Sequence, residues 1–306
     1  LHRTMATLAE TNDIVLIQET HIPAEDTELQ QQLEGLLTQG EYEGWQVVHT
    51  PAAAGDAAAG VMTWYNTARV RVSDQRTVEA GRVQAMTVEV LADGTRLTMG
   101  NVYMPTRGYE VDVTAADRLR RTREAVEELA RRADENGEAL LIAGDMQAQT
   151  ARALARKQTG AGSGNDAWLE WMMTTYGMES MGEQQDTYSA GAGGAATAID
   201  HWLANWEMAE RVTVEVGAGA EGLNTGVDGE AMAGGVGGGA KGHNSLLLTM
   251  LLQTAAGEAA EERELERRET QVAPLDKAEW KAFAAEEGTR VECAESTARQ
   301  ADGTGH

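Results

Sequence analysis

The chain has 306 residues, 25 Lys plus Arg against 49 Asp plus Glu, and a formal net charge of −24. That length is ample for a sizeable core. Its one cysteine, Cys293, excludes an internal disulfide and leaves a cysteine-based zinc site short of ligands, and no apolar run is long enough to span a bilayer. A basic stripe of the kind that releases phosphate counterions is missing, which weighs against tight non-specific nucleic-acid binding, while a phosphate site bridged by a metal cation stays open.

Leu1, Met5 and Leu8 recur at helical spacing and predict a helix over 1–10. Asp13 to Gln18 is a continuous apolar run with β-branched residues, the pattern of a strand buried on both faces. A helix from Glu28 to Leu37 stops near Gly40. Strands follow at Trp45 to His49 and Gly60 to Tyr65, separated by an Ala/Gly-rich loop from Pro51. Arg69 to Val72 and Ala85 to Val90 alternate as half-buried strands do. Asp93-Gly94 is a hairpin turn, and Arg96 to Tyr103 is its second strand, stopped by Pro105. Thr114 with Asp117 resembles a capping box for a helix reaching about Arg132, with Leu119, Val126, Leu129 and Ala130 inward.

Ala139 to Gly144 is another fully apolar strand, with Asp145 at its end. Trp168, Trp171 and Met172 mark the apolar face of a helix. Ile199 to Trp202 is a weaker, Ala-rich strand candidate; Arg211 to Val216 and Ser245 to Leu251 are further strands. Residues 217–242 are dominated by Gly and Ala and predict a loop. From Gly257 the chain turns charged, with a second short helix expected from Pro274 to Ala285. This divides it into a domain over 1–253 and a charged helical linker or tail over 254–306. Antiparallel hairpins inside an α/β pattern predict two sheets packed face to face with helices outside.

Carboxylates at strand ends, beside the mouth of a sheet, are where α/β enzymes hold metals and reacting groups. Glu19, Asp145 and Asp200, with His243 just before a strand, point to metal-assisted phosphoester chemistry. Arg82, Arg107, Arg152, Arg156 and Lys157 are candidate phosphate contacts.

Five stretches in order, Gln18-Glu19-Thr20, Asn101-Val102-Tyr103-Met104-Pro105, Ile142-Ala143-Gly144-Asp145-Met146-Gln147, Ile199-Asp200-His201-Trp202 and Gly242-His243-Asn244, resemble the endonuclease/exonuclease/phosphatase superfamily. Within it the likeness is to the apurinic-type endonuclease domain of non-LTR retrotransposons. The resemblance covers roughly residues 1–253. It implies a four-layer α/β sandwich of two packed mixed sheets with outer helices, and phosphodiester hydrolysis with Mg²⁺, or Mn²⁺ in its place. It implies Glu19 as the metal-binding carboxylate and Asp145 as the acid that positions or deprotonates water. His243, Asp200 and Tyr103 complete the catalytic set, with Asn101 and Gln147 in substrate contact, and DNA is the implied partner, an expectation that the charge of −24 weakens.

The departures are specific. Gln147 stands where the family has Asn, Ala198 and His201 stand where it has Arg and Tyr around the acid, and Gly242 stands where an Asp precedes the histidine. The chain opens at the helix after the family's first core strand, so that strand and its Asn are expected to be missing. These departures imply reduced or absent activity, and leave two alternatives: a small-molecule phosphoesterase of the same superfamily, or a non-catalytic relic or interaction module.

Overall fold

The computed structural model describes residues 8–10, 12–54, 56, 59–105, 113–157, 164–181, 187–190, 196–216, 241–243 and 246–250. The first apolar run forms strand β1 (Ile14–Gln18), buried along its whole length. Helix α1 (Thr27–Thr38) follows, capped by Asp26, whose carboxylate accepts the Leu29 N–H at 3.3 Å. Strands β2 (Trp45–Thr50) and β3 (Val61–Asn66) pair antiparallel, and β3 also pairs with β1, so the first sheet runs β1-β3-β2.

The second sheet takes β4 (Val70–Glu79), β5 (Val83–Val90) and β6 (Arg96–Tyr103) as a meander. Helix α2 (Val113–Asn136) then crosses over to β7 (Leu140–Asp145), which lies parallel to β6. Next come α3 (Ala151–Lys157), α4 (Gly164–Thr175), β8 (Met178–Met181), β9 (Tyr188–Ala190), β10 (Ala196–Thr197), β11 (Asp200–Asn205), α5 (Trp206–Ala209), β12 (Val212–Val216), β13 (Lys241–His243) and β14 (Leu246–Met250). The six-stranded order is β4-β5-β6-β7-β11-β8, with smaller sheets β10-β9-β13 and β12-β14.

Three apolar clusters define four layers. Leu29, Leu33 and Leu37, four residues apart on α1, pack on Val15, Ile17, Met62 and Trp64 of the first sheet. The other face of β1, Ile14 and Leu16, meets Met86, Met99, Leu141, Ala143 and Trp202 of the second sheet. Beyond that sheet, Ala85, Val102, Ile142 and Leu203 meet Val126, Leu129 and Ala130 of α2 and Trp168, Leu169 and Met172 of α4. The expected four-layer sandwich is therefore the observed one, and among the described residues β1 is an edge of its sheet.

Several local expectations are corrected. Helix α2 begins at Val113, so Thr114 lies inside its first turn and is not the cap. Trp171 is 49% exposed and meets Tyr176 edge-on, because the apolar side chains that α4 buries are Trp168, Leu169, Met172 and Met173. The strand expected at Arg69 to Val72 continues to Glu79 through a bulge after Ser73. The weak Ala-rich candidate is a fully buried six-residue strand, β11. Strands β8, β9 and β10 had no sequence signal, being short and polar or Gly-flanked. The 217–240 part of the expected loop and the expected tail helix lie outside the described residues.

Candidate active site

The chain leaves β1 at Gln18 and enters a turn in which Glu19 and His21 both take positive φ, 53° and 54°. Thr20 N–H donates to Gly60 O at 3.1 Å and His21 N–H to Ala59 O at 3.0 Å, which holds the turn against the start of β3. Gly60 makes the fit possible: its φ is +112°, and a Cβ there would lie 2.1 Å from Thr20 Oγ1. The Glu19 carboxylate, 18% exposed, sits 3.4 Å from His21 Nε2. Left-handed backbone at a bulky residue is uncommon and clusters at functional sites. Gln147, two residues past the end of β7 in the opposite sheet, is a third case, with φ 47°.

In the second sheet Tyr103 is opposite Asp145 across the parallel β6–β7 pair, and Asp145 is opposite Asp200 across the antiparallel β7–β11 pair. Directly opposed residues project to the same face of a sheet. Tyr103 identifies that face, because its hydroxyl hydrogen-bonds Glu19 of the first sheet. Burial first, then the charges of Glu19 and Asp145, hold the phenol well above its ordinary range, so it stays a neutral donor at physiological pH. The residue before Asp145 must be glycine. Gly144 has φ +148°, and a Cβ there would lie 1.8 Å from Val102 O.

Asp145 is itself oriented. It accepts Gln147 N–H at Oδ1 (2.9 Å) and Gln147 Nε2–H at Oδ2 (2.5 Å). The Gln147 amide thus turns back onto the carboxylate. Asp200 N–H and Ile199 N–H both donate to Thr187 Oγ1 at 3.0 Å. Thr187 leads into β9, where Tyr188 is paired with His243 of β13, so the backbone of His243 lies one strand from this junction. The His243 side chain and Asn244 lie outside the described residues, as do Arg107 and the side chains of Arg156 and Lys157.

His201 faces away from the mouth. Its Nε2–H donates to Ala148 O at 2.8 Å, which leaves Nδ1 to accept the Ser180 hydroxyl at 2.8 Å. Burial lowers its pKa, so the ring is a neutral structural pin. Arg82 is not a surface cation. It is 1% exposed and bonds Asp56 with two nitrogens at 2.9 and 2.7 Å; its guanidinium lies 4.4 Å over the Tyr103 ring. Arg118 adds a second cation 3.3 Å from the same carboxylate. Arg152 is exposed on α3. Asn101 is fully buried between the sheets, its amide committed to Gln18, Met62 and Ile17.

Asp56, His21 and Thr20 belong to this assembly without having been singled out by role. Asp56 had one signal, being the single charged residue in the Ala/Gly-rich loop from Pro51 to Gly60. The donor set around the mouth is mostly carboxylate and phenol oxygen. Among the described residues no three His, Cys, Asp or Glu side chains cluster as a metal cage. One or two carboxylates with waters is the arrangement Mg²⁺ accepts, and Glu19 beside Tyr103 and Asp145 fits it.

The chain is similar in structure to the AP endonuclease LMAP from Leishmania major, at 17% identity and a TM-score of 0.54 over 71% of this chain and 78% of that one. An AP endonuclease from Archaeoglobus fulgidus matches with a TM-score of 0.52 and 13% identity over 81% of this chain and 92% of that one. A 3'-5' exonuclease, NExo, from Neisseria meningitidis matches with a TM-score of 0.51 and 17% identity, over 81% of this chain and 93% of that one. The chain has the endonuclease/exonuclease/phosphatase fold. No family model matches the sequence, and no curated protein does. At these identities the likeness establishes the endonuclease/exonuclease/phosphatase architecture alone.

Proposed function

We propose that the chain is a divalent-metal-dependent phosphodiesterase acting on DNA, the endonuclease domain of a non-LTR retroelement, with residues 1–253 as the catalytic unit and 254–306 as a tail. One observation carries the reading. Glu19, just past the end of β1 in one sheet, meets Tyr103, opposed to Asp145 and through it to Asp200, at the strand ends of the other. The order of the motifs supports the retroelement assignment.

In this reading Glu19 would hold Mg²⁺, and the ion would supply Lewis-acid stabilisation of charge on the phosphate. Asp145, its carboxylate fixed by Gln147, takes the proton of the attacking water. Tyr103 donates from its neutral hydroxyl to a phosphate oxygen, and Asp200 and His243 complete the set around the phosphate. Supercoiled plasmid with Mg²⁺ tests the reading. Wild type nicks it, and Asp145→Ala falls by about 100-fold or more, the usual worth of a general base; equal cleavage by both removes the proposal.

The charge of −24 favours a second reading in which the same site takes a small phosphoester. Salt separates the two, since DNA affinity falls steeply with ionic strength and small-ligand affinity changes little.

A further inference from the structure

Glu19 follows directly on β1 of one sheet and Tyr103, Asp145 and Asp200 lie in the other, so the alignment of the two sheets sets the geometry of the site. Most of their interface is apolar, and apolar contact is non-directional. One layer is different. Gln18 Nε2–H donates to Asn101 Oδ1 at 2.7 Å, linking β1 to β6. The Thr63 hydroxyl donates to Gln84 Oε1 at 2.6 Å, linking β3 to β5. Gln84 Nε2–H donates to Val48 O at 3.0 Å and Thr50 Oγ1 at 3.1 Å, and Thr50 and Thr77 share a 3.1 Å hydroxyl bond, linking β2 to β5 and β4.

These residues form a line. Thr77, Gln84 and Asn101 are successive cross-strand partners in one row of the second sheet. Gln18 and Thr50 flank Val61 in one row of the first. Gln18, Asn101, Thr63, Gln84 and Thr50 are all buried. Each strand of the first sheet is thus tied to the second by a side-chain hydrogen bond, β1 and β2 through Gln18 and Thr50 in the row just below the mouth and β3 through Thr63 one row deeper. Glu19 is one residue beyond Gln18, and Tyr103 two beyond Asn101.

We infer that this polar seam, and the Gln18–Asn101 bond above all, is a positioning device that sets the register of the two sheets and so brings Glu19 to Tyr103 and Asp145. The inference rests on the reading of Glu19 and Asp145 as one site. Hydrogen bonds are directional where apolar packing is not, and a fully satisfied buried network specifies one arrangement of a core. A displacement of about 1 Å at a reacting group can cost about 100-fold, which the seam would prevent. Asn101 acts in this account through Gln18, not by touching substrate.

The test compares wild type with Gln18→Met/Asn101→Leu, which replaces both partners by apolar groups of similar size, and with Thr63→Val, an isosteric loss farther from the mouth. Mn²⁺ affinity is measured by calorimetry. A metal-free readout follows the Tyr103 ring in tyrosine-labelled protein by NMR, assigned with Tyr103→Phe, and its response to Glu19→Gln. The double variant is expected to unfold cooperatively, to bind Mn²⁺ about tenfold or more weakly, and to lose the response of Tyr103 to Glu19→Gln; Thr63→Val weakens both in the same sense. Folded variants with unchanged Mn²⁺ affinity and an intact Tyr103 response overturn the inference. If wild type takes up no Mn²⁺, the metal reading fails, and the Tyr103 response still decides the seam. If the double variant does not fold, Thr63→Val decides it.

Discussion

Acid should weaken the fold through one residue in particular, His49 on β2. Its Nε2 is 3.0 Å from Thr20 Oγ1, in the turn that carries Glu19, and its Nδ1 is buried with no partner. A protonated ring would place a second N–H where nothing accepts it, and burial lowers the pKa from 6.5 to about 4. The sign follows from linkage. The unfolded chain binds this proton near pH 6.5 and the folded one does not until about pH 4, so stability is present above pH 6.5 and lost as pH falls. The full difference is worth about 3 kcal/mol, of which about 2 kcal/mol is already gone at pH 5. Urea unfolding of wild type and His49→Gln at half-unit steps from pH 7.5 to 4 measures it. Wild type should steepen below pH 6.5 by close to one proton relative to the variant. His201, also held neutral by burial, contributes equally to both proteins and cancels in the comparison. Parallel curves would refute the reasoning, because they would mean that His49 titrates alike in both states.

Gly144→Ala should destabilise by at least about 3 kcal/mol, through left-handed strain and the collision with Val102 O, and calorimetric unfolding reads this directly. Arg82→Met should cost about 1–3 kcal/mol through the two lost hydrogen bonds to Asp56, less than an uncompensated buried carboxylate would cost because Arg118 stays 3.3 Å from it; Arg82→Met/Arg118→Met, which removes both cations, should cost more than the single change, and denaturant midpoints of the two variants check the difference. Gln147→Asn trades the 2.5 Å bond to Asp145 Oδ2 for a residue that accepts the left-handed backbone at φ 47° more readily, so stability should change by less than about 1 kcal/mol, while plasmid nicking should slow because Asp145 loses the side-chain bond that fixes it; an unchanged nicking rate would contradict the orienting role of Gln147.

How much of this was legible in the sequence depends on range. Periodicity of 2 and 3.6 marked β5, α1 and α2, continuous apolar runs marked β1 and β7, and a hairpin turn marked β6, because each of these signals is written within about two dozen residues. Their ends located Glu19, Tyr103 and Asp145, and the motif order located Asp200 and His243. The short strands β8 to β10 escaped because two to four residues are too few to carry a periodic signal.

The sequence by itself determined which residues stand at strand ends and that an apolar sandwich would form around them. Only the tertiary structure decided that Asn101 faces Gln18 across the sheets and that Arg82 closes on Asp56 beneath Tyr103. It also decided that His201 turns from the mouth to bond Ala148 O and Ser180. The physical reason is that side-chain direction in a strand follows local alternation, while the partner that a side chain meets follows from sheet order and register. Those are set by pairings between segments many tens of residues apart, as in the 83-residue separation of Gln18 and Asn101.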